Sequence, residues 1–145
     1  MTLQTFLGDA GFRQVPLSRS GVGHFHAAGL LGDRPVAVLI DTGAASTVMS
    51  LALSREMGLA LKTLEMTGGG AGGANLELYQ LVDAMLTLGA FQPRVSVLIA
   101  MDLAHVNQSL ALKGEAPVDV ILGADVLQAH AAVIDYGSSS LFLKA

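Results

Sequence analysis

The apolar run Val38-Leu39-Ile40 ends in Asp41, and a glycine, Gly43, follows two residues later. An uninterrupted apolar run of this kind belongs to a buried strand. An ionised carboxylate at its end is costly to bury unless something pairs with it or changes its protonation. A fold that accepts this chain must therefore carry the end of a buried strand to a place where a carboxyl has a partner or a use. With 145 residues, one domain of modest core has to do this.

The rest of the chain supplies short strands and turn signals. Residues 1–20 lack sustained periodicity and read as an amino-terminal arm with a strand near Phe12 to Leu17; residues 21–145 read as the domain proper. From Gly21, G-H-F-H-A-A-G-L-L-G-D-R-P-V-A-V-L-I-D gives strand, turn and strand, with the turn at Gly32-Asp33-Arg34-Pro35. Ser50 is placed to cap a short helix that Gly58 ends. M-T-G-G-G-A-G-G-A-N follows, then L-E-L-Y-Q-L-V-D-A-M-L-T-L as one long strand or two, and R-V-S-V-L-I-A as another. Residues 102–117 predict a loop or a single helical turn. Ile121 and Leu122 end a short buried strand that breaks at Gly123, a short helix follows, and the chain closes with a hairpin turning at Gly137 to Ser140. The class is mainly β, barrel-like or an orthogonal sandwich, and nothing in the element order suggests a parallel sheet.

Composition narrows the function. A hydrophobic fraction of 52% with 14% charged residues implies apolar surface covered by a partner, most simply a second copy. A net charge of -4, with lysines and arginines scattered singly, gives no footprint for nucleic acid. Without cysteine there is no disulfide, thiolate nucleophile or cysteine zinc site. His24 and His26 alternate along a predicted strand, where a surface pair is favoured over metal ligation for want of nearby ligands. No metal or other cofactor is expected. The amino terminus has no signal-peptide pattern and no uncharged stretch reaches the roughly 18 residues of a membrane span, so the expectation is a cytoplasmic protein without membrane contact. Asp125 is expected to serve the start of the helix after Gly123, and Asp135 to serve the closing turn.

Three features now stand in order: an apolar strand leading into D-T-G-A, a glycine-rich hairpin region, and Ile121-Leu122-Gly123 before a helix. From about Gly21 to Leu143 the chain resembles the retropepsin-type aspartic peptidases, a single-lobed homodimeric class. The resemblance implies a closed β-barrel lobe with one or two short helices, and a two-fold homodimer acting on a peptide or protein. It assigns catalysis to Asp41, Thr42 and Gly43, with Thr42 bonding across the dimer interface and Gly43 permitting close approach of two loops. Ala44 and the flap residues Gly68, Gly69, Gly70, Ala71, Gly72 and Gly73 would contact substrate, and Ile121, Leu122 and Gly123 would support the catalytic loop. Because D-T-G occurs once, the acid pair would be Asp41 from each of two chains. Two departures stand out. Ala45 occupies the position where retroviral enzymes often carry a second aspartate, and no tyrosine lies within the glycine run, Tyr79 being some residues beyond. The alternative is a module of the same fold that binds a peptide or protein without cutting it.

Overall fold

The computed structural model describes residues 1–69, 75–95 and 97–145. Thr2 accepts the Thr5 N–H at 3.1 Å and opens α1 (Leu3–Asp9), a helix the sequence pattern does not announce. After β1 (Phe12–Pro16) and β2 (Ser18–Arg19) come β3 (Phe25–Leu31) and β4 (Arg34–Ile40), the hairpin that ends at Asp41. Leu31 sits opposite Arg34, which leaves Gly32 and Asp33 as the loop. Such a two-residue turn demands a positive φ, and Gly32 supplies +58° without strain.

β5 (Val48–Ser50) runs into α2 (Leu51–Glu56), capped as expected by Ser50, which accepts the Leu53 N–H at 3.2 Å. β6 (Ala60–Gly69) and β7 (Asn75–Val82) pair as the antiparallel arms of the glycine-rich segment. Gly68 and Gly69 close β6, whereas Gly70, Ala71, Gly72 and Gly73 lie outside the described residues. β8 (Leu86–Leu88) and β9 (Ile99–Met101) follow. Then comes α3 (Ala104–Leu112), where a loop or one helical turn was expected. Its apolar residues are too evenly distributed to mark a face, so periodicity misses it. Tertiary contacts hold it instead: Leu103 and Leu110 are buried, and the Asn107 amide brackets Val118, accepting its N–H at 2.8 Å and donating to its carbonyl at 3.1 Å. The chain ends with β10 (Val120–Leu122), α4 (Ala124–Ala129) and the hairpin of β11 (Val133–Asp135) and β12 (Ser140–Lys144). At that turn Asp135 accepts the Gly137 N–H at 3.0 Å and the Ser138 hydroxyl at 2.6 Å, the role its position suggested.

β1, β12 and β11 form one antiparallel sheet. The larger sheet runs β2-β3-β4-β10-β5-β9-β7-β6, with β8 also on β3, and among the described residues no pairing closes it into a barrel. Two pairings, β4 with β10 and β5 with β9, are parallel, contrary to the element order, because the connections are long and irregular rather than strand-helix-strand units. The four short helices of the described chain exceed the one or two expected.

The central strands explain the unbroken apolar runs. Val36 and Val38 of β4, Met49 of β5, and Val120 and Leu122 of β10 enter the main core, while Leu39, Val48 and Ile121 turn to a second core with Leu103, Leu110 and Val118. Successive residues of a strand point to opposite faces, so a strand covered on both has no polar positions left. Asp41 thus stands at the end of a strand buried on either side.

Two side chains tie distant segments together. His130 is 2% exposed; its Nε2 accepts the Arg94 N–H at 2.8 Å and its Nδ1 lies 2.7 Å from the Lys144 carbonyl, an arrangement the Nδ1–H tautomer satisfies at both ends. His130→Leu keeps much of the volume but strands two backbone groups, so a loss of about 3 kcal/mol is expected in urea unfolding. Glu115 accepts the Ser20 hydroxyl and meets His24 Nδ1 at 2.8 Å. His24 lies just ahead of β3 rather than on it, and among the described residues no group of three potential ligands gathers around either histidine. The Ser20 bond, opposed by partial burial and reinforced by His24, holds the Glu115 carboxyl below its ordinary range. A carboxyl whose pKa is lowered by folding stabilises the fold fully at neutral pH and loses that contribution as pH falls below about 4.3, the ordinary glutamate value, and through the lower folded-state value. Thermal unfolding from pH 7 to pH 3 should show Glu115→Gln losing less stability on acidification than the wild type. Among the described residues no helix is long and apolar enough to cross a membrane.

Candidate active site

The backbone of the loop after β4 is held by the segment after β10. The Asp41 N–H donates to the Leu122 carbonyl at 3.0 Å, and the Asp41 carbonyl accepts the Ala44 N–H at 3.2 Å, closing a four-residue turn over Thr42 and Gly43. Ala124 donates to the Ala44 carbonyl at 2.7 Å and Asp125 to the Ala45 carbonyl at 3.2 Å. The first amides of α4 are thus spent on the loop, and no side chain caps this helix. The Asp125 carboxylate, placed by sequence at the helix start, instead takes the Thr47 hydroxyl at 2.7 Å.

The two glycines of the site differ. A Cβ on Gly123 would lie 2.7 Å from the Ala44 oxygen and 2.8 Å from the carbonyl carbon and oxygen of Ser46, distances that side-chain carbons do not tolerate. A Cβ on Gly43 would meet Asp41 Oδ1 at 3.4 Å, ordinary contact. Within one chain, therefore, Gly123 is sterically required and Gly43 is not.

The Asp41 carboxyl is half-buried, and its Oδ1 accepts the Gly43 N–H at 3.0 Å. Among the described residues no hydrogen bond engages Oδ2. Thr42 and Gly43, at the tip of the turn, are exposed. Beside the carboxyl lies a cavity of about 310 Å³ lined by Asp41, Ala44, Ala45, Ser46, Val48, Leu78, Ile99, Met101 and Ile121. Apart from Asp41 its wall carries no charge, so it offers an acid in a mainly apolar setting. A larger hollow of about 450 Å³ around Met85, Pro93 and Arg94 has no carboxyl, and the guanidinium of Arg94 is bonded to the Ala129 carbonyl at 2.9 Å. Size alone does not mark the chemistry.

The structure brings Asp41, Thr42, Gly43, Ala44, Ile121, Leu122 and Gly123 together. Ile121 lines the cavity, Leu122 packs in the main core, and Gly123 underlies the loop. The sequence did not single out Val48, Leu78, Ile99 or Met101 as cavity wall, although the alternation of Ile99 and Met101 about the wholly buried Ala100 is a period-two signal. Nor did it point to Thr47, which is fully buried, accepts the Gly123 N–H at 3.0 Å and is the partner of Asp125.

Residues 27–126 match a family model described as aspartyl protease. Similar solved structures include a retropepsin-like aspartic protease from Rickettsia conorii (17% identity over 91% of this chain and 90% of that one, TM-score 0.56). EIAV protease complexed with the inhibitor HBY-793 is 23% identical over 77% of this chain and 92% of that one, with TM-score 0.55. The retroviral protease-like domain of Ddi1 from Leishmania major is 18% identical over 81% and 86%, with TM-score 0.55. At these identities the likeness establishes a retropepsin-like fold. Comparison with curated proteins gives no match.

Proposed function

We propose, from the premise that this chain belongs to the aspartyl protease family, that two copies join about a two-fold axis to form an aspartic endopeptidase. Asp41 of each copy supplies half of the acid pair. The observation that carries this reading is the setting of Asp41: one oxygen held by Gly43, the other without a bonded partner among the described residues, beside an apolar cavity. Gly43 adds support, since nothing within one chain demands a glycine at an exposed turn. The need arises if a second loop approaches, with Thr42 beside it bonding across the axis.

Two carboxyls within hydrogen-bond reach cannot both ionise, and they hold one proton between them; the aspartic-protease pair is the standard example of this effect. The ionised member takes a proton from water as the water oxygen attacks the peptide carbonyl carbon, and the protonated member gives its proton to the carbonyl oxygen. Collapse of the tetrahedral intermediate breaks the C–N bond, with a proton passing to the leaving amine. The substrate lies extended between the pair and the arms of the glycine-rich hairpin, which would close over it as flaps, and its apolar side chains enter the cavity. No metal or cofactor enters this scheme.

Incubation with a varied peptide library from acidic to neutral pH, read by mass spectrometry beside sedimentation velocity, tests the reading. Reproducible internal cuts by a dimer, fading on dilution to monomer, are expected. A monomer that cuts equally well overturns the shared pair, and a folded dimer that binds peptides and leaves them whole identifies a binding module instead.

A further inference from the structure

We propose that Thr47 and Asp125 are positioning residues that aim the Asp41 carboxyl, a role that rests on the peptidase reading. The polarity of the pair follows from its partners. The Gly123 N–H can only donate, so the Thr47 oxygen accepts there, at 3.0 Å, and the hydroxyl hydrogen goes to Asp125 Oδ1 at 2.7 Å. Both capacities of a wholly buried hydroxyl are thereby used.

Three further bonds hold this loop to the 122–125 segment: Asp41 to Leu122, Ala124 to Ala44 and Asp125 to Ala45. All three are backbone bonds, made at Asp41, Ala44 and Ala45. Thr47 pins the far end, at the residue whose α-carbon has no spare room beneath Ala44 and Ser46. Without that pin the stretch just ahead of β5 loses its bond to Gly123, and the turn can tilt between its backbone ties and the β5 ladder that begins at Val48, carrying Asp41 with it. In a two-fold pair the same tilt occurs twice, so the gap between the two carboxyls changes by both displacements. Catalytic geometry is sensitive on this scale, a misplacement of about 1 Å costing roughly 100-fold in rate. Neither Thr47 nor Asp125 lines the cavity beside Asp41, so the effect falls on turnover rather than on substrate binding.

The test compares Thr47→Val, Thr47→Ser and Asp125→Ala. Thr47→Val should lose about 10- to 100-fold in kcat, with KM within about twofold; Asp125→Ala, which frees the Thr47 hydroxyl to turn, should lose a smaller part of that rate, and Thr47→Ser should recover most of it. Asp125→Ala removes an exposed side chain and leaves the Thr47 to Gly123 bond in place, so it reports even where Thr47→Val fails to fold. A second measurement needs no turnover: the ¹³C signal of the Asp41 carboxyl, assigned with Asp41→Asn, should move in Thr47→Val and return in Thr47→Ser. Folded variants with wild-type kcat and an unmoved carboxyl signal overturn the proposal, as does a rate loss wholly matched by a smaller folded fraction. If the wild type cuts no peptide, the peptidase reading fails and the carboxyl signal alone decides the positioning role.

Discussion

Asp41→Asn is expected to lower kcat by about two to four orders of magnitude while leaving the protein folded and its pairing intact. Asparagine has the shape of aspartate, and its side-chain oxygen can still accept the Gly43 N–H that Asp41 takes at 3.0 Å. What it lacks is a titratable proton, and in the proposed pair of copies one substitution removes both halves of the site. This makes a sharper experiment possible. When wild type is mixed with an equal amount of variant and subunits exchange at random, only about half of the wild-type copies find a competent partner, so activity per wild-type copy falls by about half. A monomer with a self-sufficient site would show no such loss. Equal rates of cleavage by variant and wild type would sink the mechanism.

Gly123→Ala carries the largest structural effect. The backbone at Gly123 is extended, with φ of -102°, so any residue could adopt it; the obstacle is space. The new methyl group would sit 2.7 Å from the Ala44 oxygen and 2.8 Å from two backbone atoms of Ser46. None of these can rotate away as a side chain would. Relief requires the catalytic loop to lift off β10 and α4, loosening the Ala124 to Ala44 bond of 2.7 Å and the Thr47 contact with Gly123. A loss of about 3 kcal/mol is expected, which lowers Tm by roughly 6–12 °C, and peptide hydrolysis should fall far beyond what the unfolded fraction explains. Gly43→Ala is the control in the opposite sense: it should fold with nearly unchanged Tm and fail only on pairing. A Gly123→Ala protein that melts with the wild type would show that the loop has slack.

The features legible in the sequence are those governed by nearest neighbours. Gly32-Asp33 between two apolar runs forces a hairpin, Ser50 and Gly58 bracket a helix, and Asp135 sits where a tight turn takes a carboxylate. Of the cavity wall, only Asp41 and Ala44 of D-T-G-A and Ile121 lay in recognisable motifs. The rest was hidden because it depends on which strands meet. Val48, Ile99 and Met101 share a wall only because β5 and β9 pair in parallel, and no local pattern encodes that pairing. Helix α3 escaped for a related reason, its anchor being the Asn107 amide on Val118 rather than a face of regular apolar spacing. Asp125 read as a helix-start carboxylate because its sequence neighbours are helical, whereas its partner Thr47 comes from a remote loop.

The parallel pairing of β4 with β10 has a temporal side. Asp41 leaves the ribosome early, but Leu122, which receives its amide, and Gly123, which underlies its loop, are synthesised much later. During that interval the nascent polypeptide carries the acid without the strand that orients it. Whatever this loop does to other chains, it cannot do to its own while translation is still in progress.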